Sequence, residues 1–152
     1  MTQFVKKKIL YDETFVSLHD ARFNHVYYHE GSVFFEFSDG FSVIEKGVLS
    51  KVTYGRVEFA GVNFEDLFCH IFKRKKSKKG SRLIGNPITP EELDKYLSKN
   101  GWKVELVLEL YDSNHIHWRG IIVPSKMSRK HLSTLVTIDL MDCCPIIYSW
   151  EK

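Results

Sequence analysis

The chain has 152 residues, of which 43% are hydrophobic and 27% are charged. These proportions are typical of a soluble globular protein, and they exclude a disordered or collagen-like chain for most of the length. The formal net charge of +3 does not by itself indicate a partner. The length fits a single domain over residues 1–152, which can bury a sizeable core without disulfide staples.

The composition favours β structure. Alanine, the best helix former, occurs only twice, whereas Val, Ile, Thr and aromatic residues make up one third of the chain. These side chains lose rotamer freedom in helices and pack well on pleated surfaces. We therefore predict a mainly β (α+β) fold, either an antiparallel β-sandwich or an open barrel, with one covering helix at about 89–100.

The sequence predicts a cytoplasmic protein. The early lysines at 6–8 are followed by only three uncharged residues before Asp12, which is too short for the apolar region of a secretory signal. No uncharged stretch exceeds eight residues, so we expect no transmembrane segment. The three cysteines are an odd number, which argues against a disulfide framework and favours a reducing compartment.

The first half of the chain predicts short strands. We expect edge strands near residues 4–5 and 15–18, and a strand over 23–29 that ends at Glu30-Gly31. Residues 33–37 and 41–44 flank Ser38-Asp39-Gly40, which predicts a hairpin with a type I′ turn. Strands follow over 49–54 and 56–62. Residues 64–72 carry helical periodicity, but the β surroundings favour a strand.

The second half contains the predicted helix and the longest predicted strand. Thr89 and Glu92 form a capping box around Pro90, and Asn100-Gly101 is a typical helix stop. In residues 102–111 every second residue is apolar, and most of the residues between them are charged or polar. This alternation predicts a strand with one buried face. That face would carry Trp102, Val104, Leu106, Leu108 and Leu110. Further strands are expected at 116–123, 132–140 and 146–150.

The most conspicuous local feature is the basic segment 73–82. It holds seven of the 22 Lys and Arg residues and none of the 19 acidic ones, leaving 15 cations against 19 acids elsewhere. We interpret it as a mobile, solvated loop kept open by charge repulsion. The alternative is a binding site for nucleic acid or another polyanion, with Phe68 and Phe72 available for base stacking. Its residues would be Lys73, Arg74, Lys75, Lys76, Lys78, Lys79 and Arg82.

A His-x-His pair, His115 and His117, is the best metal or pocket candidate. Two imidazoles on one face of a strand can chelate zinc or iron, and Arg119 would lie beside them. A third ligand is needed from the carboxylates or from another histidine. The histidines considered are His25, His29, His70 and His131. Outward-facing histidines without a ligand are the structural alternative, and we predict no cofactor.

Other reactive groups fit structural roles. Asp20 beside His19 is interpreted as a turn residue, and Cys143-Cys144 as buried structural thiols near acidic neighbours. The chain lacks a Cys-x-x-Cys pair, a Gly-rich phosphate loop, and the hydrolase and zinc-protease motifs. We therefore lean towards a protein that is not an enzyme.

Three short segments carry a resemblance: LHDAR at 18–22, FEFSDGF at 35–41 and YSW at 148–150. In this order they resemble small bacterial β proteins, some of which are immunity proteins of polymorphic toxin systems. The resemblance implies a non-catalytic domain that binds a partner protein. No functional residue is transferred from it.

Three functional hypotheses follow. The first is a cytoplasmic binding domain, immunity-like, with a protein partner and exposed aromatic and Arg hot spots. The second is polyanion binding through residues 73–82. The third is a small-ligand or metal-dependent activity in a β-barrel pocket lined by His115, His117 and Arg119. Long amphipathic strands also allow a homodimer through a sheet edge.

Overall fold

The computed structural model describes residues 2–6, 14–112, 115–124, 134–141 and 145–151. In these ranges the chain forms three antiparallel sheets and one α-helix, which confirms the mainly β prediction. The helix α1 spans Pro90–Asn100. The strands are β1 (Thr2–Lys6), β2 (Thr14–Ser17), β3 (Arg22–Phe23), β4 (His25–His29), β5 (Ser32–Phe37), β6 (Ser42–Glu45), β7 (Val48–Lys51), β8 (Gly55–Phe59), β9 (Leu67–Ser77), β10 (Gly80–Ile88), β11 (Lys103–Tyr111), β12 (Ile116–Val123), β13 (Leu135–Leu140) and β14 (Ile146–Trp150).

Two large sheets make the sandwich. One has the strand order β1-β14-β8-β5-β4, and the other has the order β10-β9-β13-β12-β11-β3. Their facing sides meet at fully buried aromatic rings. The Trp118 ring centroid lies 5.0 Å from that of Phe35 and 4.9 Å from that of Phe59. Edge-on aromatic contacts of this kind add to the hydrophobic gain of burial.

The third sheet has the strand order β2-β6-β7. It corrects the predicted hairpin, because β5 and β6 do not pair with each other. A turn is present, since the Gly40 N–H donates to the Phe37 carbonyl over 2.9 Å. It is not the predicted type I′ turn, because its central residues Ser38 and Asp39 do not have positive φ. A Cβ at Gly40 would fall 1.7 Å from the Val52 carbonyl oxygen, so only glycine fits here. The chain then directs Phe41 into the core and enters a different sheet.

The helix prediction is confirmed. The Thr89 hydroxyl accepts from the Glu92 N–H, and the Glu92 carboxylate accepts from the Thr89 N–H, so both capping-box bonds form. Gly101 ends the helix in the left-handed conformation. Asp94 accepts the Val26 N–H over 3.0 Å, which fastens the helix beside β4.

The segment 64–72 is mostly strand, as favoured by its surroundings. Phe64–Asp66 form one 3-10 turn, and β9 begins at Leu67. The interpretation of residues 73–82 as a loop is wrong. Residues 73–77 belong to β9 and residues 80–82 to β10, joined by a tight turn at Lys78-Lys79.

The alternation predicted for β11 holds only up to Leu106. The pairing register with β12 shifts between Leu106 and Leu108, so Val107 is the extra residue of a β-bulge. Beyond it the two faces exchange. Leu110 becomes 52% exposed, and Tyr111 turns inward.

The bulge also turns the Glu109 side chain inward, where its carboxylate accepts two hydrogen bonds. It accepts the Leu18 N–H over 2.8 Å and the Tyr111 hydroxyl over 2.7 Å. Burial raises the pKa of the Tyr111 hydroxyl well above its usual value, and Tyr148 and Glu109 add to that increase. Trp118 donates to the same Tyr111 oxygen over 3.1 Å. One inserted residue therefore builds a polar cluster inside an apolar core.

In the described ranges, no helix has the length and apolar character needed to cross a membrane.

Candidate functional site

The seven basic residues predicted as a polyanion site lie together on a β-ribbon. We call residues 73–84 of the β9–β10 hairpin the basic arm. All side chains from Lys73 to Leu83 are exposed on this arm, which marks a ribbon that extends past the packed body of the sandwich. At about 3.3 Å per residue, the five arm residues of β9 reach roughly 16 Å.

Both faces of the basic arm are cationic. Cross-strand partners share a face, so Lys75 and Arg82 lie together on one side of the ribbon. Arg74 pairs with Leu83 and lies on the opposite side. The turn adds Lys78 and Lys79 at the tip.

None of the seven cations has an acidic partner in the described part of the chain. The salt bridges found there involve other residues of the sandwich. The Nζ of Lys73 lies 5.0 Å from the Tyr96 ring centroid, which ties the base of the arm to α1. Cations without an acidic partner are available to an external anion.

Phe68 and Phe72, the residues predicted to stack on bases, differ in how far their rings are free to contact a ligand. Phe68 is 45% exposed. Phe72 instead lies across the backbone of Gly85, since a Cβ there would fall 2.5 Å from the Phe72 ring. The arm therefore presents cations rather than an aromatic platform.

His115 and His117 share a site with Asp139. The Asp139 Oδ1 atom lies 2.6 Å from His117 Nδ1 and 3.2 Å from His115 Nε2. The three side chains are partly buried, with exposed fractions of 41% for His115, 18% for His117 and 24% for Asp139. One ligand atom from each residue lies within 4.8 Å of the other two. We call this set the His-Asp cluster.

The register of the six-stranded sheet builds the His-Asp cluster. His117 on β12 stands directly opposite Asp139 on β13. Next to them in the same cross-strand row lie Leu110 on β11 and Phe68 on β9, both exposed. The cluster thus has an apolar side chain on each flank.

The position of His117 contradicts the hypothesis that His115, His117 and Arg119 line a pocket inside a β-barrel. His117 alternates with the buried Trp118, so it faces away from the space between the two large sheets. Arg119 lies one pair further along the same outer face, exposed and opposite Thr137. The structure places it beside the His-Asp cluster and not within it.

Asp139 is the member that the sequence did not single out. The available signal was one acidic residue in the otherwise apolar strand 135–140. The other histidines considered as third ligands are placed elsewhere. His25 lies 3.1 Å from Asp94, and His29 lies 3.8 Å from Glu30. His70 stands opposite Thr137. His131 lies outside the described residues, as do Cys143 and Cys144.

Cys69 is an inert thiol. It is buried in β9, and this desolvation, with Asp139 and Glu91 nearby, raises its pKa to about 12. Burial and a small thiolate fraction at neutral pH are typical of a structural cysteine and not of a nucleophile.

His19 and Asp20 border a polar cavity of about 310 Å³. Their side chains lie 3.1 Å apart and are largely exposed. Asp39 in the same cavity is bound by Lys103 at 2.8 Å, and this hydrogen bond lowers the pKa of the carboxyl. Arg22 and Asp39 at this cavity are paired within the chain, with Glu105 and Lys103 respectively, in contrast to the cations of the basic arm.

The chain matches no protein-family model, no curated protein and no solved structure.

Proposed function

We propose that this protein binds duplex nucleic acid through the basic arm. The observation that carries the proposal is a two-stranded ribbon with seven cations and no acidic partner among the described residues. A β-ribbon fits the major groove of B-form DNA, which is about 12 Å wide. Cations on both ribbon faces suit a groove, because both walls of a groove are lined with phosphates.

The charge distribution supports an oriented encounter. Outside residues 73–82 the chain has 15 cations against 19 acidic residues, so the body is mildly anionic. A polyanion is attracted by the arm and repelled by the rest of the surface. The contact would therefore be made by the arm first.

The salt dependence of binding tests this proposal. Each phosphate contacted lowers the logarithm of the association constant by about 0.9 per tenfold increase in salt. We expect a slope between about −3.6 and −6.3, which corresponds to four to seven contacts. Fluorescence anisotropy with a labelled duplex of mixed sequence measures it. Absence of binding at about 50 mM salt, or a slope near zero, contradicts the proposal. If heparin competes for the protein as well as unlabelled duplex does, the protein binds polyanions in general and has no preference for nucleic acid.

The second candidate function is protein binding of the immunity type. Its support is an apolar cross-strand row on the three-stranded sheet, where Phe15, Ile44 and Leu49 stand side by side. Phe15 is 56% exposed and Leu49 is 67% exposed. Contiguous exposed apolar side chains mark a protein contact surface.

We expect a Leu49→Lys variant to lose a toxin partner that co-purifies with the wild type on co-expression. A charge in the centre of such a row leaves a desolvated, unpaired group in the interface. Leu83→Lys is the matched control, since Leu83 is exposed on the basic arm. Equal recovery with both variants contradicts a role for this row.

A further inference from the structure

We propose that His115, His117 and Asp139 bind a divalent transition-metal ion of the zinc type. The site would lie on the outer face of the six-stranded sheet. It is independent of the basic arm, so the proposal stands or falls separately from duplex binding.

The first argument is the convergence of two imidazoles on one carboxylate oxygen. Asp139 Oδ1 is approached by His117 Nδ1 at 2.6 Å and by His115 Nε2 at 3.2 Å. The other His–Asp contacts described in the chain join one imidazole to one carboxylate. Each of those pairs offers two potential ligand atoms, whereas here a third potential ligand atom is directed at the same carboxylate oxygen.

The second argument is the separation of the ligand atoms. With zinc bonds of about 2.0–2.1 Å, ligand atoms of a tetrahedral site lie about 3.3 Å apart. The two measured separations, 2.6 and 3.2 Å, and the upper bound of 4.8 Å bracket that value. Small rotations about the side-chain bonds are therefore sufficient to place an ion between the three atoms.

The third argument is that the backbone holds the ligands in place. His117 and Asp139 are direct partners in the β12–β13 ladder. The His115 backbone is held at the end of β11, where its carbonyl accepts from the Asp112 N–H over 2.8 Å. His117 and Asp139, which lie on paired strands, are better preorganised than ligands on loops. His115 lies one residue before β12.

The ligand set indicates which ion and what coordination to expect. Two imidazoles and one carboxylate are the ligands of zinc sites that keep a fourth position for water or substrate. The same set also suits ferrous iron, whereas calcium and magnesium prefer oxygen ligands alone. Leu110 and Phe68 flank the cluster, so the polar ligand set lies between two apolar side chains.

Cobalt(II) substitution tests the proposal on the full chain. We expect the wild type to give the intense visible absorption of tetrahedral cobalt, and added Zn²⁺ to displace it. His117→Gln and Asp139→Asn should each weaken metal binding by more than about 100-fold, beyond the cost usual for changes outside the ligand shell. Thermal melts of the variants without metal show whether each one folds.

His25→Gln is the matched control, because it removes a histidine from a His–Asp pair in the other large sheet. It should leave cobalt absorption and zinc affinity unchanged. The proposal is overturned if the folded wild type binds neither Co²⁺ nor Zn²⁺. It is equally overturned if folded His117→Gln and Asp139→Asn bind as tightly as the wild type. A tight complex with Fe²⁺ but not Zn²⁺ would overturn the assignment to zinc.

Discussion

Duplex binding should be lost when four lysines of the basic arm are replaced with glutamine, namely Lys75, Lys76, Lys78 and Lys79. These side chains are exposed and have no salt bridge within the described residues, so the fold does not depend on them. At about 0.1 M salt, each phosphate contact contributes roughly eightfold to the association constant. Loss of four contacts then lowers affinity by more than about a thousandfold. Anisotropy with the labelled duplex measures this change, and circular dichroism verifies the fold.

A charge-matched variant is the control for this result. Glutamine at four exposed lysines outside the arm lowers the net charge by the same four units, at Lys46, Lys51, Lys95 and Lys99. If the arm is the contact surface, this second variant retains most of the affinity and the same salt slope. If both variants lose binding equally, the effect arises from net charge and the arm has no special role.

The largest loss of stability is expected for Trp118→Ala. Trp118 is fully buried, contacts Phe35 and Phe59 of the opposite sheet, and donates to the Tyr111 hydroxyl. Truncation of a buried Trp to Ala costs about 3–5 kcal/mol in the free energy of unfolding. This is a large part of the roughly 5–15 kcal/mol typical of a domain. Urea unfolding followed by far-ultraviolet circular dichroism measures the loss without depending on tryptophan fluorescence.

Trp102→Ala provides the comparison. Trp102 is half-buried and packs against Tyr96 of α1, with ring centroids 5.5 Å apart. Its loss should cost about 1 kcal/mol, the usual cost of a single substitution. Similar costs at both positions would mean that Trp118 does not join the two large sheets as described.

Local signals predicted the local elements well. The capping box at Thr89 and the stop at Gly101 define α1, because each acts within a few residues of the chain. The predicted strand end at Glu30-Gly31 is a two-residue turn with both residues at positive φ, and it joins the paired strands β4 and β5. Turn chemistry at Asp39-Gly40 was equally clear, yet the strands around it pair elsewhere. Pairing is decided by Phe41 and its burial in the core, which no local pattern encodes.

Two other features depended on contacts between distant residues. The bulge at Val107 is invisible in an alternating sequence, because alternation continues in the residue types while the faces exchange. Asp139 is 22 residues from His117, and only the β12–β13 register shows that they are opposite each other. The basic arm was mistaken for a loop because lysine has low strand propensity and like charges repel.

The position of β14 has a consequence for the folding rate. This strand, Ile146–Trp150, lies between β1 and β8 in the five-stranded sheet. Until it is synthesised and released from the ribosome, β1 lacks its partner and one side of β8 is unpaired. Contacts between residues so far apart in sequence give a high relative contact order, which slows folding to about milliseconds to seconds. The nascent chain would therefore expose unpaired strand edges for longer than a helical protein of this size, a period in which chaperones protect such edges from aggregation.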